Sequence, residues 1–307
     1  QGGSGGVTFS LADTDGDISG VISGTGPVTK NGAGTLAFAT GTTHTYTGQT
    51  TVNTGRLNVN GVTNAGSALV VESGGTLGGT GTVNGTVTVN SGGRVAPGTS
   101  PGILNSGSVT WNAGSNFDVE LNGTTVGTQY DQLNVTGTVS LGGATLNVAL
   151  GFAPTASNSF TIISNDVTEA VTGTFNGLAE GATLTVGSSV FQISYAAGTD
   201  LNDVVLTFLG DIETTVSLNG NDLQIEDTNG GTSADTLTIS TDGTSVIITD
   251  PGRVLTTNVA GASGNLTNTV TVPLTSFTGG ISVLTLGGDD SLTVSLASGN
   301  FTRTISY

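Results

Sequence analysis

The stretch VNTGRLNVN, residues 52–60, sets Val52, Leu57 and Val59 among polar neighbours and places a glycine at position 55. The element returns as VESGGTL at 71, VNSGGRV at 89 and WNAGSNF at 111, so that Gly55, Gly74, Gly92 and Gly114 lie 19, 18 and 22 residues apart. Self-similarity at a period of about 20 residues marks an architecture in which no repeat buries its apolar face alone and stacking closes the core. Between the glycines, runs such as Leu57 to Asn60 and Thr86 to Asn90 alternate apolar and polar. Alternation is the period of a strand with one buried face. A strand-only coil of this length, turned at Gly, Asn and Ser, predicts an all-β parallel β-helix with neighbouring rungs ~4.8 Å apart. Val52, Leu57, Val59, Val71, Leu77, Val87, Val89 and Val95 are expected inside it. Helix should be almost absent, because no window of about 12 residues carries a 3.6-residue apolar stripe free of glycine.

Composition agrees with a folded, weakly charged chain. Charged residues make up 9% of the sequence, against about 25% in an ordinary domain, and 51 of 307 residues are glycine. The net charge of -17 is small per residue and the mean hydropathy is +0.17, whereas disorder pairs low hydrophobicity with high charge. Five Lys and Arg against 22 Asp and Glu argue against nucleic acid, which needs clustered cations. The absence of cysteine excludes disulfides, thiol catalysis and cysteine zinc sites. With no methionine in the chain, Gln1 reads as a processed or trimmed end compatible with signal-peptide removal. No apolar run approaches the ~20 residues of a membrane helix.

The texture changes along the chain. The solenoid is expected over 1–154. From about 155, Phe160, Ile162 and Ile163 open a run with more aromatics and acids, read as a β cap over 155–210. A third texture over 211–307 has Asp-rich turns and reads as a small β domain, sandwich-like; Asp242 and Gly243 between two apolar runs signal a hairpin.

ISGVISGTGPVTKNGAGTLAF followed by TYTGQTTVNTGRLNVNG, within residues 18–61, resembles the autotransporter-associated β-strand repeat. The matching positions include Lys30, Gly32, Gly34, Tyr46, Gly48 and Gly55. APGTSPGIL, YDQLNVTGTVSLGGATLNV and GTFNGLAEGATL resemble segments that follow this repeat in large bacterial surface proteins, so the likeness spans about two thirds of the chain. The resemblance implies a right-handed β-helix and a secreted or cell-surface location in a bacterium, and it implies no single activity. After residue 213 the chain resembles, more loosely, short Asp-rich β repeats of bacterial exoproteins. With no outer-membrane β-barrel segment in the sequence, the chain is expected to be a passenger portion at most.

Candidate sites are few. Asp13, Asp15 and Asp17 place three carboxylates at i, i+2 and i+4, and hard oxygen clusters suit Ca²⁺; a solvated turn is the plainer reading. Asp289 and Asp290 form a second candidate Ca²⁺ site. Asp222, Asp235 and Asp289 resemble the acids of calcium-binding nonapeptide repeats, but separations of 13 and about 55 residues do not let such sites stack. For catalysis the best pair is Asp118 and Glu120, on the strand face opposite Phe117, Val119 and Leu121, and therefore facing solvent. Arg56 and Arg94 are placed at corners, and His44, the single histidine, is placed in an exposed loop. A ranked threonine array of the ice-binding kind would need one position repeated in each rung, where Arg56, Gly75, Gly93 and Ser115 are irregular.

The expectation is therefore a non-enzymatic extracellular structural or adhesive protein, self-associating in a cell-surface fibre or matrix. The alternative is a carbohydrate-binding or carbohydrate-cleaving β-helix, and surface glycans are the corresponding partners. Converging acids, arginines or aromatics in a lateral groove would favour the sugar reading. Self-association is expected head to tail through terminal strands, since FTRTISY alternates Phe301, Ile305 and Tyr307 against polar residues and stops without a cap.

Overall fold

The computed structural model describes residues 5–166, 169–228, 235–285, 289–296 and 301–307. The fold is all-β; the helical content among these residues is one 3-10 turn, Leu274–Ser276. Contacts divide the chain into two units. The first comprises 1–153, 158–182 and 193–207, and the second 154–157, 183–192 and 208–307. The stretch 155–210 is thus shared between them.

In the first unit, three stretches of each repeat fall into three parallel sheets. The first sheet stacks Val28–Asn31, Thr50–Val52, Leu69–Val71, Val87–Val89 and Val109–Trp111. The second stacks Thr35–Phe38, Gly55–Val59, Gly75–Gly78, Arg94–Val95, Asn116–Leu121 and Thr145–Leu150. The third stacks Val62–Thr63, Thr82–Val83, Ile103–Ser106, Gln132–Val135 and Ser159–Asn165. The chain visits the sheets in the same order at each repeat, which is consistent with a β-helix. All eight residues expected inside are at most 2% exposed. In register they form apolar columns, such as Leu36, Leu57, Leu77, Val95 and Phe117.

The repeat glycine is required twice over. Gly55 has φ +72°, and a Cβ there would lie 2.3 Å from the Gly32 carbonyl oxygen of the preceding repeat. The register corrects the equivalence of Arg56 with Gly75, Gly93 and Ser115: Gly55 pairs with Gly75, and Arg56 and Arg94 both pair with Thr76. The turn after Val71 is one residue longer than the turn after Val52, so alignment on the turn slips by one. The residue after Lys30, Val52, Val71, Val89 and Trp111, an asparagine or Glu72, stacks instead: Asn53 donates to Asn31 at 2.8 Å, Asn90 to Glu72 at 2.9 Å and Asn112 to Asn90 at 2.8 Å. Such ladders satisfy amides along the stacking direction.

Two basic side chains lie inside. Lys30 is fully buried and its Nζ donates to the carbonyls of Asn31, Gly32 and Thr54 at 2.9, 2.7 and 3.2 Å, while burial lowers its pKa. His44, expected in an exposed loop, is also fully buried. Its ring lies 4.4 Å from that of Phe38, its Nδ1 accepts the Ile22 N–H at 3.1 Å, and burial lowers its pKa. The chain around it runs largely outside the strands, and Thr42 Oγ1 lies 3.5 Å from its Nε2.

Parallel stacking ends at Ser159–Asn165, which pairs on its other side antiparallel with the start of Asp203–Asn219. Phe175 stacks on Phe117 with centroids 6.1 Å apart, and the Tyr195 hydroxyl donates to Leu178 O and accepts the Phe175 N–H. Burial pushes the Tyr195 phenol up to about 12.

The second unit mixes hairpins with parallel strand pairs. Thr236–Thr241 and Ser245–Thr249 pair antiparallel across Asp242 and Gly243, as expected; Gly243 has φ +91°, and Asp242 Oδ1 accepts the N–H groups of Thr244 and Ser245. Thr269–Pro273 and Ser291–Ser295 complete that sheet. A second sheet pairs the end of Asp203–Asn219 with Asp222–Asp227, then Ile281–Leu284 and Ile305–Ser306. One apolar cluster, including Val216, Ile225, Ile239, Ile248, Val270 and Val283, draws on both sheets.

Candidate functional site

A concavity of about 440 Å³ in the first unit lies on the outer face of its second sheet, beside the loop that follows Val95. Alternation decides which side chains line it. Phe117, Val119 and Leu121 point inward, so Asp118 and Glu120 point out, as expected, but into a groove. Register places Asn147 beside Asp118 and Ala149 beside Glu120 on the next strand.

Arg56 reaches the groove from two repeats earlier. A Cβ at Gly78 would lie 2.1 Å from the Arg56 guanidinium, so glycine at that rung is what lets the side chain cross. The guanidinium is held by Asn58 Oδ1 at 2.6 Å, Ala96 O at 3.0 Å and Gly98 O at 2.7 Å. Burial lowers its pKa, and Asp131, Glu120 and Asp118 pull it back up. Arg94 pairs with both oxygens of Asp118 at 2.9 and 3.0 Å, with side chains 47% and 29% exposed. Neither arginine is at a corner: both stand on strands, facing out.

Asp131 was not singled out by the sequence, and it organises the groove. Its Oδ1 accepts the Gly102 N–H at 2.8 Å and its Oδ2 the Glu120 N–H at 2.9 Å, clamping the loop to the sheet. It is 2% exposed, and burial raises its pKa to about 6 against its two N–H bonds and Arg56. Glu120 accepts the Ser100 hydroxyl at 2.7 Å, and Ser100 holds φ +131°, which non-glycine residues rarely adopt.

The expected calcium residues are dispersed. Asp13, Asp15 and Asp17 are exposed in the first unit, and Asp15 Oδ1 caps the Thr35 N–H at 2.9 Å. In the second unit Asp289 is exposed, while Asp290 Oδ1 accepts the Asp235 N–H at 3.1 Å. Among the described residues no group of three or more His, Cys, Asp or Glu is arranged to hold a metal ion. Asp235 is the unusual acid there: 1% exposed, neither carboxylate oxygen hydrogen-bonded among the described residues, its pKa raised to about 6 by burial and then by Asp227, Glu213, Asp250 and Asp290. Arg253 meets Glu213 at 2.7 Å.

No family model matches the chain. Over 98 residues, 32% of the chain, it is 39% identical to the adhesin BmaC autotransporter of Brucella suis biovar 1 (strain 1330). The alignment spans 3% of that protein's length. No helix among the described residues is long and apolar enough to cross a membrane, which leaves β-barrel spans aside.

The terminal strand is taken up within its own unit. Ile305 and Ser306 pair in parallel with Ile281 and Ser282, and Phe301 and Ile305 pack against the apolar cluster. Arg303, which interrupts that face, lies 4.1 Å over the Phe277 ring and donates to the carbonyls of Phe277 and Leu274. Tyr307 is left 69% exposed. Pairing within its own unit thus takes up one side of the strand, and Phe301 and Ile305 are partly buried there.

Proposed function

We propose that this chain is a non-enzymatic, extracellular, adhesive or structural protein of a bacterial surface, built on a right-handed β-helix and self-associating in a fibre or matrix. The observation that carries the reading is the run of in-register parallel ladders in the first unit, joined with the local similarity to an autotransporter adhesin. Continuous backbone ladders over stacked Val and Leu make a stiff support for display. A secreted or surface location accords with that similarity.

Support for the non-enzymatic part comes from the groove. General acid–base chemistry needs a carboxyl that can reach and exchange a substrate proton. Asp131, whose pKa best suits the role, is buried with each oxygen on a backbone N–H, and Asp118 is held by Arg94. Self-association is proposed along the Ile305–Ser306 edge, where Tyr307 stays exposed.

Displaying residues 1–307 on a non-adherent bacterium tests the reading. Attachment to host cells or matrix should rise several-fold, with filaments or mats under the electron microscope. Attachment equal to that of the empty display scaffold would overturn the adhesive reading, and a strictly monomeric purified chain at high concentration would overturn self-association.

A further inference from the structure

We propose that the groove between the loop 96–102 and the strand Asn116–Leu121 is a recognition site for a short segment of an uncharged glycan. The inference rests on the adhesive reading and names what that surface would grip.

The argument starts from the mixture of charges. Two guanidiniums, Arg56 and Arg94, and two outward carboxylates, Asp118 and Glu120, line one concavity. An anionic ligand would meet the carboxylates, and a cationic one the guanidiniums. Like-charge contacts in a partly desolvated site are costly, so both are disfavoured. A hydroxyl both donates and accepts, and is the neutral group that suits either kind of neighbour.

The groups are already held in place by the protein. Arg94 is paired with Asp118, which also accepts from Asn147 at 2.7 Å, and Glu120 is oriented by Ser100. Arg56 is anchored through Nε and Nη2 to three oxygens, and Nη1 has no protein acceptor among the described residues. Glu120 Oε1 likewise has no protein donor, since Ser100 bonds to Oε2. Polar capacity therefore remains on side chains whose positions are fixed, and preorganisation lowers the ordering cost of binding. Each charge keeps its protein partner when a hydroxyl is added, so no unpaired charge is buried.

A volume of about 440 Å³ suits a small ligand of this kind. None of the residues lining the groove is aromatic, so a single site should bind weakly. Weak sites become effective when many copies are displayed together, as on a surface.

The test is saturation-transfer NMR and calorimetry on the 307-residue chain with cellobiose, N-acetyllactosamine and chitobiose, and with a sulfated heparin disaccharide as the anionic arm. At least one neutral disaccharide should bind. Glu120→Gln and Asp118→Asn should each weaken it by about 10-fold, as expected for loss of one charge-assisted hydrogen bond, with melting curves matching the parent. Binding of none of the three neutral sugars, preference for the sulfated arm, or affinity unchanged in both variants would overturn the proposal. Attachment of displaying cells separates this from the adhesive reading: a parent chain that attaches cells yet binds none of the three neutral sugars sinks the glycan site alone, and one that attaches no cells sinks the adhesive reading.

Discussion

The two units bury acids in opposite ways. In the first, Asp131 sits where repeat stacking presents backbone N–H groups at fixed spacing, and both its oxygens are bonded. In the second, Asp235 is equally buried, has neither oxygen bonded among the described residues, and feels four other carboxylates. Both are raised to about 6, with burial as the first cause in each. The secondary causes differ: two backbone hydrogen bonds and Arg56 hold Asp131 down against Glu120, whereas the neighbouring acids all push Asp235 further up.

The largest expected effect comes from breaking the ladder itself. Leu57→Asp puts a charge into the Leu36–Leu57–Leu77 column and removes a side chain whose burial is worth roughly 1.5 to 3 kcal/mol. With the cost of burying the carboxylate, the loss should reach about 4 kcal/mol or more and abolish the protease resistance of residues 5–150. An unchanged melting curve would contradict the inward assignment.

The contrast between the two acids is sharpened by a matched pair of variants. Because the folded Asp235 carboxyl binds its proton more tightly than the unfolded one, its contribution is full below the ordinary value of 3.8 and is lost as pH rises through about 6. The difference amounts to roughly 3 kcal/mol between the two limits. Asp235→Asn should therefore flatten the pH dependence between 4 and 7 and raise the melting temperature at neutral pH. Asp131 has the same sign of pH dependence, yet Asp131→Asn turns one oxygen into a donor facing a backbone N–H. It should lower stability by about 1 to 3 kcal/mol at pH 4, and by less at pH 7, where the parent has lost the contribution of its own protonated carboxyl. Urea titrations of both variants at pH 4 and 7 read the difference directly, and equal shifts in the two would erase the comparison.

The smallest effect concerns the exposed pair. Arg94→Ala should cost no more than about 1 kcal/mol, and less at high salt, because solvent screens a pair of this exposure. A loss that persists in 1 M salt would mean that Arg94 does more for the loop 96–102 than its ion pair suggests.

The sequence alone determined the strands, their faces and their stacking. Alternation around Leu57, Val59, Val87 and Val89 states which side is buried, and the glycine period near 20 states how often the chain returns; both are local properties of the backbone. Asp242 and Gly243 announced their hairpin for the same reason. Tertiary structure decided where the columns coincide. Arg56 and Asp131 stand 75 positions apart in sequence, and they line one groove because the register sets Arg56 and Arg94 on either side of Thr76 and Gly78 leaves room for a guanidinium. The burial of Lys30 and His44, the clamp at Asp131 and the pairing of Ile305 with Ile281 were likewise invisible in the sequence. Each depends on what a neighbouring strand, reached through a separate turn, presents at the same height.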